Sequence, residues 1–187
     1  MKLPTNTALV IIDVQRAIDE AFWSKHGPRN NPDAEHKMVA VLKHWRDTKR
    51  PVFHIRHDSV HADSTYAPGA ETHAFKPEVM PLADEEIIGK TANSAFIETK
   101  LKQMLRDQGI DHVVMMGVIT NNSVEATVRH AGNLGFTTYL IEDACFTFAF
   151  LDYSGTLRSA QEVHDMSLAN MDGEYCQVIK AAQVLHV

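Results

Sequence analysis

The chain has 187 residues, of which 44% are hydrophobic and 22% are charged, and its formal net charge is -6 at pH 7. This length fits one domain over residues 1–187, with a core that needs no disulfide or metal. The negative charge argues against nucleic acid as a partner, because phosphate binding requires clustered cations. No apolar run is long enough to cross a bilayer, and the first five residues are too polar to begin a secretory signal. We therefore expect a soluble cytoplasmic protein with reduced thiols at Cys145 and Cys176.

Short apolar runs alternate with helical patterns along the chain. In chain order the pattern predicts a strand over Thr7–Asp13, a helix over Asp33–Lys49, strands over Pro51–His57 and Glu85–Lys90, a helix from Asn93 or Ser94 to Gly109, a strand over His112–Gly117, a helix over Asn121–Leu134, a strand over Thr137–Glu142, a helix around Ser159–Asn170 and a short segment near Val178. This alternation indicates βαβ units. The predicted fold is a three-layer α/β/α sandwich around a mostly parallel, doubly wound sheet.

Chemically useful side chains follow several of the predicted strands. Asp13, His57, Lys90 and the turn from Gly117 to Ser123 all lie at or just beyond strand ends, where parallel sheets bind ligands. Taken singly, Asp13 and Ser123 are equally typical of helix caps, and Lys90 of a solvated surface residue. Together, a carboxylate and an ammonium group beside one nucleophile supply a proton acceptor and a fixed positive charge. The convergence favours a catalytic site.

Three segments carry a specific resemblance. Ala8–Gln15, Gly89–Phe96 and Gly117–Thr127 occur in this order and resemble the signature segments of the isochorismatase-like hydrolases, a superfamily of cysteine hydrolases. Gly135–Phe136 and Glu142–Cys145 also resemble that family at the expected places. The likeness covers nearly the whole chain and implies the same α/β/α fold.

The resemblance implies a role for several residues. The family's triad of Asp, Lys and Cys falls on Asp13, Lys90 and Ser123, so that a serine stands at the usual cysteine position. A cis peptide between Val118 and Ile119 and an oxyanion hole made by the backbone N–H groups of Ile119 and Ser123 are also implied. The predicted substrate-binding residues are Gln15, His57, Phe96 and Asn122. Gln15 could instead orient Asp13, and Phe96 could be an ordinary core residue.

The serine at position 123 leaves three interpretations open. A serine hydroxyl is a far weaker acid than a thiol, and an ordinary Asp, with a pKa of about 3.9, is a poor base for it. The protein could use chemistry that needs no cysteine, as the isochorismatase branch of the family does. It could be a Cys→Ser form made to trap a ligand, or a ligand-binding protein on the scaffold of an enzyme.

Other candidate groups carry no prediction of chemistry. His54, His57, Asp58 and His61 suggest a metal site, but Ile55 occupies the position at which related nicotinamidases have an aspartate ligand, so we predict no metal. No organic cofactor is predicted either, because no Gly-x-Gly-x-x-Gly or Walker-type loop follows a strand. Cys145 also follows a strand, and we interpret it as a packed structural thiol.

The predicted function is hydrolysis of a small molecule, at an amide C–N bond or at an isochorismate-like vinyl ether. The alternative is a catalytically weak ligand-binding protein of the same fold. The expected partners are a small-molecule substrate and further copies of the chain, without nucleic acid or membrane. Phe22 and Trp23 could form a lid or a subunit contact. The aromatic residues between Phe146 and Tyr153 suggest the interface of a homo-oligomer, a dimer or tetramer.

Overall fold

The computed structural model describes residues 2–185. The strands are β1 (Ala8–Ile12), β2 (Val52–His57), β3 (Glu86–Lys90), β4 (His112–Val118), β5 (Thr137–Phe146), β6 (Phe150–Leu151), β7 (Leu157–Arg158) and β8 (Gln177–Ile179). The α-helices are α1 (Ala34–Asp47), α2 (Leu101–Asp107), α3 (Glu125–Asn133) and α4 (Ala160–Met171).

Six strands form one parallel sheet in the order β3-β2-β1-β4-β5-β8. From β1 the chain moves outward to β2 and β3, then returns to the other side of β1 for β4, β5 and β8. Because crossovers between parallel strands are right-handed, α1 covers one face of the sheet and α2, α3 and α4 cover the other. The predicted doubly wound, three-layer fold is confirmed. Its winding reverses between β1 and β4, and open α/β sheets bind ligands at such a point.

The core lies on both faces of the central strands. Every residue of β1 is buried, as its continuous apolar sequence predicts for a strand covered on both sides. On the α1 side, Trp45 is fully buried and its indole Nε1 donates a hydrogen bond to the carbonyl oxygen of Thr7 at 3.0 Å. That bond fixes α1 against the start of β1, which ends at the predicted site.

The second predicted helix begins later than its sequence pattern suggests. Residues 93–100 form turns, and α2 starts only at Leu101. Glu98 has a φ of 54°, a left-handed conformation that breaks a helix. Side chains of α3 also bind this segment: His130 Nδ1 lies 2.9 Å from Ser94 Oγ, and Thr127 Oγ1 accepts from the Ala95 N–H at 3.1 Å. These tertiary contacts replace the predicted first turns of the helix.

Strand β5 continues four residues beyond the predicted end at Glu142. The polar residue Asp143 fits into this extension because its Oδ1 accepts a hydrogen bond from the Ala181 N–H at 2.7 Å. Phe146, at the end of this extension, and Phe148, two residues later, are buried within the chain, whereas Phe150 and Tyr153 are exposed on the β6–β7 hairpin. The homo-oligomer therefore stays a prediction, now confined to the hairpin. Within residues 2–185 no helix is long and apolar enough to cross a membrane.

Candidate active site

Three of the predicted site residues meet at the point where the winding of the sheet reverses. Lys90, at the end of β3, places its Nζ 2.8 Å from Asp13 Oδ2 and 3.3 Å from Ser123 Oγ. The Lys90 side chain is fully buried, and the Asp13 side chain is only 5% exposed. A buried ion pair of this kind holds its charges in fixed positions, because removing either partner leaves the other charge uncompensated.

The backbone at Asp13 turns the carboxylate away from the strand. Asp13 has a φ of 55°, a left-handed conformation that Asp tolerates better than most residues. Its N–H donates to the carbonyl oxygen of Ile55 at 3.0 Å, and its own carbonyl accepts from the Gln15 N–H at 2.8 Å and from the Tyr66 hydroxyl at 3.2 Å. Burial and the nearby Asp13 charge raise the pKa of Tyr66 well above its ordinary value, so the hydroxyl remains a donor. The carboxylate of Asp13 is therefore fixed from its backbone.

The turn that carries Ser123 begins where β4 passes very close to β1. A Cβ on Gly117 would lie 2.2 Å from the carbonyl oxygen of Ile12, so only glycine allows this approach. The Val118–Ile119 peptide bond is cis, as the family resemblance predicts. The sequence pattern predicted that Ser123 lies in the first turn of an α-helix beginning at Asn121, and this is wrong. Ser123 lies in a π-helical turn over Thr120–Val124 that precedes α3.

A buried polar contact from α4 holds this turn and was not predicted from the sequence. His164 Nδ1 lies 2.8 Å from Thr120 Oγ1, and both residues are fully buried. The hydroxyl of Ser167 is 3.2 Å from the Thr120 carbonyl oxygen. Burial lowers the pKa of His164, so its imidazole is neutral at pH 7. The sequence signal for this contact was the pair His164 and Ser167, two polar residues three positions apart and therefore on one face of α4.

A cavity of about 100 Å³ opens beside Asp13 and Ser123. Aromatic rings form one wall: Trp23 packs edge-to-face on Tyr66 with ring centroids 5.9 Å apart, and His57 packs on Tyr66 at 5.6 Å. The lining residues are Asp13, Ile18, Trp23, His57, Ser64, Tyr66, Asn93, Val118, Ile119, Asn122 and Ser123. A volume of this size admits a small functional group, since one water takes up about 30 Å³ in the liquid.

Two of the four predicted substrate-binding residues line the cavity. His57 and Asn122 do so, and His57 Nδ1 lies 3.3 Å from Lys90 Nζ. Gln15 is fully buried, and its amide bonds only backbone: it donates to the carbonyl oxygens of His57 and His73 and accepts from the His57 N–H. Phe96 stacks on Phe136 at 5.8 Å. The structure therefore places Gln15 and Phe96 outside the cavity, in supporting positions.

The histidines and acids near β2 form separate pairs. His54 Nε2 lies 2.8 Å from Glu85 Oε2, on the opposite side of the strand from His57. Asp58 accepts from Arg56 and lies 2.7 Å from His73 Nε2. Among residues 2–185, no group of three or more His, Cys, Asp or Glu side chains is arranged to hold a metal ion.

The two cysteines are buried, and their thiols are unreactive. Burial raises the pKa of Cys145 well above that of a free thiol and raises the pKa of Cys176 to about 12. Because the thiolate is the nucleophilic form, neither residue substitutes for a cysteine at position 123.

Comparison with known proteins assigns this chain to a family. A family model of the isochorismatase domain matches residues 7–183. The chain belongs to the isochorismatase family. It is 39% identical over 179 residues to the isochorismatase family protein YrdC of Bacillus subtilis, covering 96% of this chain and 94% of the relative. A solved structure of an isochorismatase-family hydrolase from Chromobacterium violaceum matches with a TM-score of 0.93 and 52% identity, covering 100% of this chain and 97% of that one.

The match to a relative with a named activity covers a smaller share of that relative. A ureidoacrylate amidohydrolase of Variovorax paradoxus is 35% identical over 136 residues, which are 73% of this chain and 49% of the relative. Family membership makes this chain a hydrolase. That Ser123 stands at the family's cysteine position remains a prediction.

Proposed function

We propose that this isochorismatase-family hydrolase cleaves an amide C–N bond in a small molecule, with Asp13 as the proton-transfer group. Lys90 supplies a fixed positive charge and Ser123 is the nucleophile. The carboxylate and the hydroxyl both lie within hydrogen-bonding distance of Lys90 Nζ. The activity of the amidohydrolase relative supports the choice of an amide over other bonds.

One observation carries this proposal. Asp13 Oδ2 is bound by Lys90, but Asp13 Oδ1 is buried and has no hydrogen-bond partner among the described residues. Native proteins pair most buried polar atoms, so an orphaned carboxylate oxygen in a cavity wall calls for an explanation. A proton-transfer group needs such a free oxygen, because it must accept and return a proton during the reaction.

The proposed reaction has two halves. As Ser123 Oγ attacks the carbonyl carbon, its proton passes to Asp13 and the carbonyl oxygen becomes an oxyanion. The backbone N–H groups of Ile119 and Ser123 stabilise this charge. The C–N bond then breaks while Asp13 returns the proton to the leaving nitrogen. Water then attacks the serine ester while Asp13 accepts a proton from it, and Asp13 returns this proton to Ser123 Oγ as the ester C–O bond breaks, which releases the carboxylic acid and regenerates the serine.

The serine itself favours a second candidate, hydrolysis of a vinyl ether. That reaction needs no nucleophilic side chain: an acid protonates the double bond, and water adds to the resulting oxocarbenium carbon before the C–O bond breaks. Asp13 would supply this proton and would recover one from the attacking water. Ser123 would then only position water or substrate through its hydroxyl.

The test is the substitution Asp13→Asn, assayed with a panel of small amides, ureido acids and isochorismate. General acid–base groups contribute about 10²–10⁴-fold, so turnover of any substrate accepted by the parent chain is expected to fall about 10³-fold. Circular dichroism must show that the variant is folded, because the change leaves the Lys90 ammonium buried without its counter-charge.

A matched control shows whether the loss of turnover is specific to Asp13 or follows the removal of any carboxylate. Asp107 is exposed on α2, and Asp107→Asn is expected to keep parental turnover. Substrate turnover that survives Asp13→Asn in a folded protein would contradict the mechanism for both bonds.

A further inference from the structure

The cavity wall contains a second buried polar atom without a partner. Trp23 Nε1 is buried, and no described residue accepts its hydrogen bond. Trp45, the other tryptophan of the chain, has the ordinary arrangement, with its Nε1 donating to the carbonyl oxygen of Thr7. Because buried indole N–H groups are normally paired, the Trp23 N–H is a donor left free in a residue that lines the cavity.

The cavity offers no cation for an anionic ligand. None of the described residues that line it is a lysine or arginine. The ammonium group of Lys90 does not itself line the cavity: it contacts three lining residues, Asp13, His57 and Ser123, and is already paired with the Asp13 carboxylate. A substrate carboxylate brought here would lose its hydration without gaining a counter-charge, which is strongly unfavourable.

His57 does not supply a positive charge either. Its burial and the charge of Lys90 lower its pKa, so the imidazole is neutral at pH 7. Its Nδ1 accepts from the Lys90 ammonium, which leaves the ring proton on Nε2. Apart from the Asp13 carboxylate, the remaining polar lining is also uncharged: the carboxamides of Asn93 and Asn122 and the hydroxyls of Ser64, Tyr66 and Ser123.

From these observations we propose that the substrate is a small amide with no negative charge and with a second oxygen or nitrogen acceptor, and that Trp23 Nε1 selects it by donating to that acceptor. The choice of an amide rests on the function proposed above. The selection of an acceptor-bearing molecule rests on the orphaned Trp23 N–H, and the rejection of a negative charge rests on the absence of cations from the described lining. Trp23 is thus a specificity-determining residue of this site.

The test compares three amides of similar length. Methoxyacetamide has an ether oxygen, butyramide has a methylene in its place, and succinamate adds a carboxylate. The parent protein is expected to show a kcat/KM about tenfold higher for methoxyacetamide than for butyramide. Its kcat/KM for succinamate is expected to be at least tenfold lower than that for butyramide. A preference for succinamate would overturn the inference.

The substitution Trp23→Phe removes the N–H and keeps an aromatic ring. It is expected to reduce the ratio of kcat/KM for methoxyacetamide to that for butyramide about tenfold. Phe22 is the control, because its exposed ring packs on Trp23 at 5.4 Å and does not line the cavity. Phe22→Leu should keep the parental ratio, and an unchanged ratio in Trp23→Phe would contradict the role of the indole.

A binding measurement separates this inference from the proposed function. Dissociation constants of the three amides for Ser123→Ala protein should follow the same order, with methoxyacetamide bound tightest and succinamate weakest. If the parent hydrolyses none of them but this order holds, amide hydrolysis is wrong and the recognition stands. If hydrolysis occurs and the order is reversed or absent, the recognition is wrong.

Discussion

At the scale of single residues, Ser123 lies beside charges that suit a stronger acid than its own hydroxyl. The Lys90 ammonium lies 3.3 Å from Ser123 Oγ, and a positive charge at that distance stabilises an anionic nucleophile. For a thiol, with an ordinary pKa near 8.5, an ammonium group at this distance lowers the pKa and increases the thiolate population at pH 7. A serine hydroxyl ionises far less readily and depends on proton transfer to Asp13 during the attack.

We therefore expect Ser123→Cys to increase amide turnover by at least tenfold, because the thiolate is available before the substrate binds. The variant should also become sensitive to iodoacetamide at pH 7, measured as loss of turnover and as one added label by mass spectrometry. The parent protein should resist the reagent, since both of its cysteines are buried with raised pKa values. An unchanged rate in Ser123→Cys would favour the vinyl ether reaction, which needs no nucleophilic side chain.

The sequence predicted the convergence of Asp13, Lys90 and Ser123 better than it predicted which other residues line the cavity. Asp13, Lys90 and Ser123 each lie at or beyond the end of a parallel strand, and these strand ends meet at one edge of the sheet. Gln15 follows the same strand as Asp13, but its amide is used by the backbone of His57 and His73. The free N–H of Trp23 depends on which acceptors the folded chain brings near it, and sequence patterns carry no such information.

At the scale of elements, the position of Ser123 depends on how α4 holds the turn before α3. Thr120 opens that turn, and its hydroxyl and carbonyl oxygen contact His164 and Ser167 of α4. The helix was predicted from its own pattern, and its Ser159 cap and Glu162 form a capping box. Its contact with a turn some 40 residues away joins segments that no local pattern connects. The late start of α2 has the same origin, in contacts of Ser94 and Ala95 with α3.

We expect His164→Leu to loosen the turn at Ser123, because it leaves the buried Thr120 hydroxyl without its partner. Hydrogen exchange of a peptide covering residues 118–125 should become about tenfold faster, and kcat should fall while KM stays within about twofold. His164→Asn can still bond the Thr120 hydroxyl and should recover part of the protection. Gln161→Ala, on the exposed side of the same helix, is the control. Equal loss of protection throughout α4 and the turn would indicate a general loss of stability instead.

At the scale of the whole molecule, buried ion pairs fasten segments that surround the site. Glu35, at the start of α1, accepts from Arg29 and from Lys76 at 2.6 and 2.8 Å, and Lys76 also binds Asp19. These bonds join the chain after β1, the helix α1 and the segment that leads towards β3. The Glu35 side chain is 11% exposed, so these interactions are only weakly screened by solvent.

The same cluster predicts how the stability of the protein depends on pH. Burial of Glu35 opposes ionisation, but the hydrogen bonds from Arg29 and Lys76 outweigh it and lower the pKa of Glu35 from 4.5 to about 2. A carboxyl with a lowered pKa stabilises the fold above its unfolded pKa and loses that contribution as the pH falls through the folded value. The free energy of unfolding should therefore fall between about pH 5 and pH 2, with about 2–3 kcal/mol of the loss due to Glu35. Urea unfolding at a series of pH values measures this dependence.

The substitution Glu35→Gln tests whether this one carboxylate is responsible. At pH 6 it should lower the free energy of unfolding by about 2–3 kcal/mol, because Arg29 and Lys76 lose their shared counter-charge. The difference between the variant and the parent should then shrink as the pH approaches 2, where the parent's Glu35 is also becoming neutral. Glu78→Gln is the control, since Glu78 is exposed two residues from Lys76 and should leave the pH profile unchanged. A constant difference between Glu35→Gln and the parent from pH 6 to pH 2 would show that the cluster acts through packing and not through the charge of Glu35.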